Sequence, residues 1–339
     1  MTLRVLVVGA GAVGCFYASR LDAGAYVGLV CRSNYDAVRA SGVTMDTHSF
    51  GSYAFVPQAV YPTVEAAAAA PWDLVIVATK ALSMDPASVA YLAPVVRDIT
   101  TLVLIQNGVD IEAPYRHQFP HTPIVSAVTI VSAAKTEAAR VVQYRWTRIS
   151  LGPYTDLHGS DDASSSLMRR ATESLQTLAA LLKRGGIPDV EVHDARTLQC
   201  VRWHKLCINA SMNTTGVLAG GRSNPDMVRD PLLRAHIEAC MSEVMDAAPH
   251  IFGCPLPFAS PERILQSTER NTSSSKSSMV QDWEAGRALE LDAILGNAIR
   301  IAEAHGAHMP RLQSMYALLH SAVAVSYTHL RAHETREDL

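Results

Sequence analysis

Residues 3–14 read LRVLVVGAGAVG, an apolar β-branched run closed by three glycines. AVGCFYASRLDAG (12–24) follows as a helical stretch with Gly24 placed to end it, and YVGLVCR (26–32) reads as a second buried strand. No other feature restricts the fold as tightly, because Gly9-Ala10-Gly11-Ala12-Val13-Gly14 must turn the chain from strand into helix. In such a turn the first glycine permits the tight bend. The second lets a ligand approach the backbone, and the third lets helix pack on strand. The helix N-terminus then offers unpaired N–H groups and the positive end of a dipole, which suit a pyrophosphate. A glycine turn in an unliganded α/β domain is the plain alternative. The strand–turn–helix–strand context favours dinucleotide binding through residues 9–14.

The first half of the chain repeats this alternation. NYDAVRASG (34–42) reads as a short helix, 43–60 as irregular extended chain, and VEAAAAA (64–70) as helix by propensity. DLVIVATK (73–80), TTLVLIQN (100–107) and PIVSAVTIVSA (123–133) read as buried strands. Such a pattern predicts a parallel sheet covered on both faces. RVVQYRW (140–146) and RISLGP (148–153) alternate as two strands of an antiparallel edge, 162–186 is a helix ended by a glycine pair, and 188–193 is a last strand.

Beyond Asp194 the strand signals vanish, and helices are expected at 195–219, 230–250, 260–268, 279–305 and 310–325. The expected fold is therefore α/β plus all-α. It has an N-terminal Rossmann-type dinucleotide-binding domain (1–190) and a C-terminal helical domain (191–325). Residues 326–339, crowded with His and charge, are expected to be a disordered or non-native tail.

Composition narrows the partners. Of 339 residues, 29 are basic and 32 acidic, a balance that offers no electrostatic footprint for nucleic acid or an anionic membrane. The six cysteines form no C-x-x-C pair and suit buried thiols in a reducing compartment. No zinc spacing occurs, so no metal is expected. No run of 18 apolar residues exists, so no transmembrane helix is expected. The expectation is a soluble cytoplasmic protein with a small-molecule partner. The sequence does not fix its oligomeric state, and a homodimer is the assembly allowed for.

The end of the second strand speaks to cofactor choice. NAD binders usually place an acid there for the ribose 2′-hydroxyl, whereas Val30-Cys31-Arg32-Ser33 places Arg32. An arginine pairs with a 2′-phosphate, which favours NADP(H) over NAD. Lys80 ends the expected fourth strand on the same carboxyl edge and can add charge near the phosphate. Gln106-Asn107-Gly108 closes the one after it; Asn-Gly is a common turn pair, and its place on that edge also makes Asn107 a ligand candidate.

The helical half carries a second constellation. In RWHKLCINASMNTTG (202–216), Lys205, Asn209 and Asn213 recur at steps of four and share one helix face. Asparagine in mid-helix lowers stability by several tenths of a kcal/mol relative to alanine. A solvated face would more readily use Glu, Lys and Arg. In SSMVQDWEAGRALELDAILG (277–296), Ser278 precedes Gln281 by three residues, a capping-box pattern. Glu290 falls between Leu289 and Leu291, where a carboxylate needs a partner.

Taken together, GAGAVG, Lys80, QNG, WHKLCINASMN, and SSMVQD with Glu290 twelve residues after Ser278 resemble the ketopantoate reductase (2-dehydropantoate 2-reductase) family. The likeness runs from residue 3 to about 325. It implies a Rossmann domain joined to a helical domain, with the site in the cleft, and a place in pantothenate and coenzyme A biosynthesis. By that resemblance Lys205 is the catalytic general acid, and Glu290 is the carboxylate that tunes it and lies beside substrate and cofactor. Asn209 and Asn213 bind the substrate's hydroxyl end, Ser278 its carboxylate, and Asn107 stands between nicotinamide and substrate. Gly9, Gly11, Gly14, Arg32 and Lys80 fall on cofactor positions. The chain departs from the family at NTSSSKSS (271–278), where members often carry another distinctive polar residue. The implied activity is NADPH-dependent reduction of 2-dehydropantoate to pantoate. Two alternatives keep the same cofactor: reduction of another small 2-oxo acid, and a non-catalytic NADP(H)-binding sensor.

Overall fold

The computed structural model describes residues 2–156, 165–271 and 276–337. It divides into two compact units, Met1–Val201 and Arg202–Leu339.

The first unit is built on one ten-stranded sheet. In chain order its elements are β1 (Leu3–Val8), α1 (Ala12–Leu21), β2 (Ala25–Val30), α2 (Tyr35–Ser41), β3 (Val43–Thr47), β4 (Gly51–Phe55), β5 (Ala59–Tyr61) and β6 (Leu74–Val77). Then come β7 (Thr101–Ile105), α3 (Ala113–Gln118), β8 (Ile124–Glu137), β9 (Arg140–Pro153), α4 (Ser166–Arg184) and β10 (Val190–Val192). The spatial order is β4-β3-β9-β8-β7-β6-β1-β2-β5, with β10 also paired to β9. The run from β5 to β8 is parallel throughout. Numbered among themselves, those six strands lie in the order 3-2-1-4-5-6, the doubly wound arrangement of dinucleotide-binding sheets.

Beyond β8 the sheet turns antiparallel at β9, and the β3–β4 hairpin extends it. Only residues 56–58 join β4 at one edge to β5 at the other. Four Cα–Cα steps reach at most about 15 Å, so the sheet curls until its edges nearly meet. The curl wraps α1 and α4. Phe16, Tyr17 and Leu21 of α1 and Leu175, Leu178 and Leu182 of α4 are buried against Met45, Phe55, Val141 and Ile149. Tyr17 donates its hydroxyl hydrogen towards the carbonyls of Thr147 (3.3 Å) and Arg148 (3.2 Å), tying helix to sheet.

Three expectations for this unit are corrected. Residues 43–60 are not irregular but form β3, β4 and β5, whose alternation is hidden because β4 is largely exposed. Residues 64–70 make only a 3₁₀ turn at Glu65–Ala67, since Pro71 disfavours helix at the residue before it. Residues 140–153 are one strand, not two, and it lies inside the sheet rather than at its edge. Trp146, at φ +58°, bends β9 where its register against β8 shifts.

The second unit is helical. Its first helix, α5 (Ala195–Ile208), contains the boundary between the units. A π-helical turn at Asn209–Asn213 follows, then α6 (Thr214–Leu218), α7 (Asn224–Arg229), α8 (Pro231–Phe252), α9 (Pro261–Glu269) and α10 (Ser278–Glu284). A second π-turn at Asp292–Gly296 leads into α11 (Asn297–Ala304), and α12 (Pro310–Glu337) closes the unit. Buried Glu243 of α8 accepts from the backbone N–H groups of Arg311 (3.1 Å) and Leu312 (3.2 Å), satisfying the start of α12 from a neighbouring helix.

Here too expectations change. The helix foreseen at 279–305 is broken: Gly286, at φ +63°, ends the first part, and residues 287–290 are non-helical. The helix foreseen to stop near Val325 continues to Glu337, since residues 326–337 contain neither glycine nor proline to end it. Among the described residues no helix is long and apolar enough to cross a membrane. Nor do three or more His, Cys, Asp or Glu side chains cluster there as a metal would require.

Candidate functional site

In the first unit the glycine turn is held tightly at two of its three glycines. Gly9 adopts φ +112°, and a Cβ there would stand 2.8 Å from the carbonyl carbon of Ala78. A Cβ on Gly14 would stand 2.0 Å from the carbonyl oxygen of Gly9, so helix and strand touch through it. Gly11 differs, for a Cβ there would meet nothing within 4 Å. It is the N-cap of α1 and gives the helix no side-chain cap. Open space therefore lies before a helix end with uncapped N–H groups, which fits the pyrophosphate of a dinucleotide.

Sequence reasoning missed Asn34, which is buried and donates from Nδ2 to the carbonyl of Ala10 (3.2 Å). It steadies the turn from beyond the second strand, and a loop asparagine gives no local signal of that.

The carboxyl edge of the sheet carries the other cofactor candidates. Arg32 is exposed just past β2, and Lys80 is exposed just past β6. Lys80 thus follows the sixth strand in the chain, because β3–β5 are inserted before it. Asn107 follows β7, half-buried, before Gly108 at φ +97°. Its neighbour Gln106 is structural. It donates to the carbonyl of Thr79 (2.9 Å) and accepts from the hydroxyl of Tyr115 (3.0 Å), locking the ends of β6 and β7 together.

In the second unit Lys205 is half-buried in the last turn of α5. Burial, and then the Arg202 guanidinium one turn earlier, lower its ammonium from the ordinary 10.5 to about 8, against the opposing pull of Glu290. Lys205 and Glu290 are thus brought within electrostatic reach, although Glu290 lies in the non-helical segment before the second π-turn and not inside a long helix. Arg202, only 3% exposed, was not foreseen as part of the site.

Asn209 and Asn213 open and close the first π-turn, and both are buried. Asn213 Nδ2 donates to Asn209 Oδ1 (3.1 Å), so the two amides form one oriented pair. This turn packs against α8, α10 and the second π-turn. Single π-turns inside helices are frequent at functional sites.

Ser278 does not cap α10. Ser277 does, accepting from the N–H of Val280 (3.3 Å), and Ser278 is the exposed first residue of the helix. The departure at 271–278 falls partly on 272–275, outside the described residues. His204, beside Lys205 in the chain, is not part of the group: its ring contacts Phe258 and bonds the carbonyl of Ala259 (3.1 Å).

Comparison with known proteins points the same way for both units. The model described as ketopantoate reductase PanE/ApbA matches residues 5–156, and the one described as its C terminal matches residues 197–323. The crystal structure of 2-dehydropantoate 2-reductase from Methylococcus capsulatus is 30% identical, covers 97% of both chains and has a TM-score of 0.78. An uncharacterized protein of Saccharomyces cerevisiae is 28% identical, over 93% of this chain and 92% of its own. The 2-dehydropantoate 2-reductase of a Nostoc species is 25% identical, over 92% of this chain and 93% of its own. A dinucleotide-binding sheet, a lysine–carboxylate–asparagine group and two matching models together place this chain in the ketopantoate reductase family.

Proposed function

We propose that the protein reduces 2-dehydropantoate to pantoate with NADPH. The observation that carries this reading is the state of Lys205, lowered to about 8 beside Glu290 and next to the Asn209–Asn213 pair along the chain. A proton donor works best when its proton affinity lies near the working pH.

Gly9–Gly14 and the start of α1 would hold the pyrophosphate, with Arg32 and Lys80 on the 2′-phosphate side and Asn107 towards the nicotinamide. The reduced nicotinamide, when bound, supplies the hydride that the ketone carbon receives. As that carbon gains the hydride, negative charge develops on its oxygen. Lys205 gives that oxygen a proton and becomes a neutral amine, completing the hydroxyl. Glu290 keeps the lysine protonated beforehand by opposing burial and Arg202. The linked amides leave N–H groups of Asn209 and the carbonyl oxygen of Asn213 for a hydroxyl, which both donates and accepts. Ser278, relieved of capping by Ser277, offers its hydroxyl to the carboxylate.

Initial rates with 2-dehydropantoate and either NADPH or NADH test the reading. Turnover with a marked preference for NADPH is expected. Turnover only with other 2-oxo acids would transfer the chemistry to a different substrate, and NADPH binding without turnover on any of them would leave a sensor.

A further inference from the structure

A buried arginine one turn from the proposed proton donor is an unusual neighbour, since arginine is almost never fully buried unless it is paired. Arg202 is 3% exposed and lies three residues before Lys205 on α5. That spacing puts the two side chains on one helix face, about 5–6 Å apart at Cβ. Guanidinium stays charged at any working pH, so its influence on a neighbour is constant. Away from water that influence is poorly screened.

We propose that Arg202 is a positioning residue for Lys205, its permanent buried charge making the neighbouring ammonium a ready proton donor. Among the described residues, the charged groups that act on Lys205 are Arg202 from its own helix and Glu290 from the segment before the second π-turn. They act in opposite senses. Arg202 and burial favour the neutral amine, and Glu290 favours the ammonium. Reduction needs the ammonium at the start and the amine at the end, so the cluster poises Lys205 between the two. Burial alone would supply part of this effect. The arginine supplies a part that one substitution can remove.

The proposal rests on Lys205 as the proton donor, and it is tested without substrate. Trace acetylation with acetic anhydride reads the unprotonated amine. The Lys205 peptide is quantified by mass spectrometry from about pH 6 to about pH 11. Wild-type Lys205 should reach half reactivity near pH 8. In Arg202→Met the midpoint should rise by about one pH unit, so that labelling at the wild-type midpoint falls roughly fivefold. Arg202→Gln is the second neutral variant should methionine fail to fold. A wild-type midpoint near the ordinary lysine value overturns the proposal, as does an unmoved midpoint in a folded neutral variant. The alkaline fall of kcat should move with the labelling midpoint. Absence of 2-dehydropantoate turnover would refute the functional reading and leave the labelling result standing.

Discussion

The two units make their candidate sites from different materials. In the first, the working surface is backbone. Gly14 touches the Gly9 carbonyl, Gly11 faces open space, and the N–H groups of α1 are exposed by the lack of side chains. In the second, the working surface is side chains, and the backbone beneath them is irregular, with π-turns at Asn209–Asn213 and Asp292–Gly296. A site made of backbone admits one residue type at fixed offsets. A site made of side chains admits many, and its geometry depends on what packs behind it.

The largest test of that contrast is Lys205→Ala. A general acid contributes about 10²–10⁴-fold, and kcat should fall by at least that factor. NADPH binding, followed by its fluorescence, should persist because the lysine belongs to the side-chain site. Near wild-type turnover would remove Lys205 from the reaction. Next come two glycines that should fail differently. Gly14→Ala drives a Cβ against backbone and should destabilise the protein by about 3 kcal/mol or more in thermal unfolding. Gly11→Ala meets no protein atom, so stability should hold while NADPH affinity drops by about tenfold or more. Equal loss of stability in both would mean that the turn is only structural.

These differences explain what was legible beforehand. The strand–glycine–helix unit and five of the six parallel strands could be read because each rests on a local pattern; the short β5 at Ala59–Tyr61 was read as irregular chain. The inserted hairpin at 43–55 could not, because β4 is largely exposed and the hairpin joins the sheet only through β3 against the distant β9, Thr44 opposite Arg140. Lys205, Asn209 and Asn213 could be grouped by spacing. The π-turn that orients the asparagines follows from packing against α8, α10 and Asp292–Gly296, and helix propensity is silent about it. Gly286 did carry a signal, a glycine inside a helical pattern, and it marks where the expected long helix breaks before Glu290. Arg202 was hidden for another reason. Beside a lysine and a histidine in the sequence it looks like a surface cation, and only burial shows otherwise.

A smaller effect separates the two ends of the cofactor. Arg32 is exposed just past the end of β2. Arg32→Ala should raise the KM for NADPH by about 10–100-fold, the value of a charge-assisted phosphate contact. The KM for NADH should hardly change. A parallel rise in both would take Arg32 away from the 2′-phosphate.

The smallest effects come from adjacent serines, and they ask whether the side-chain site is distinct from the helix that supports it. Ser277 caps α10 and Ser278 does not, although the Ser278–Gln281 spacing suggested the reverse. Loss of an N-cap costs about 0.5–2 kcal/mol, so Ser277→Ala should lower the melting temperature by a few degrees. Ser278 is exposed at the first helical position, and Ser278→Ala should change stability by no more than about 0.5 kcal/mol. If its hydroxyl meets the substrate carboxylate, that variant should instead raise the KM for 2-dehydropantoate with kcat largely kept, the mark of lost uniform binding. The two variants should thus divide stability from binding one residue apart. A Ser278→Ala protein with normal KM and lowered stability would restore the capping role to Ser278 and leave the substrate carboxylate to another group.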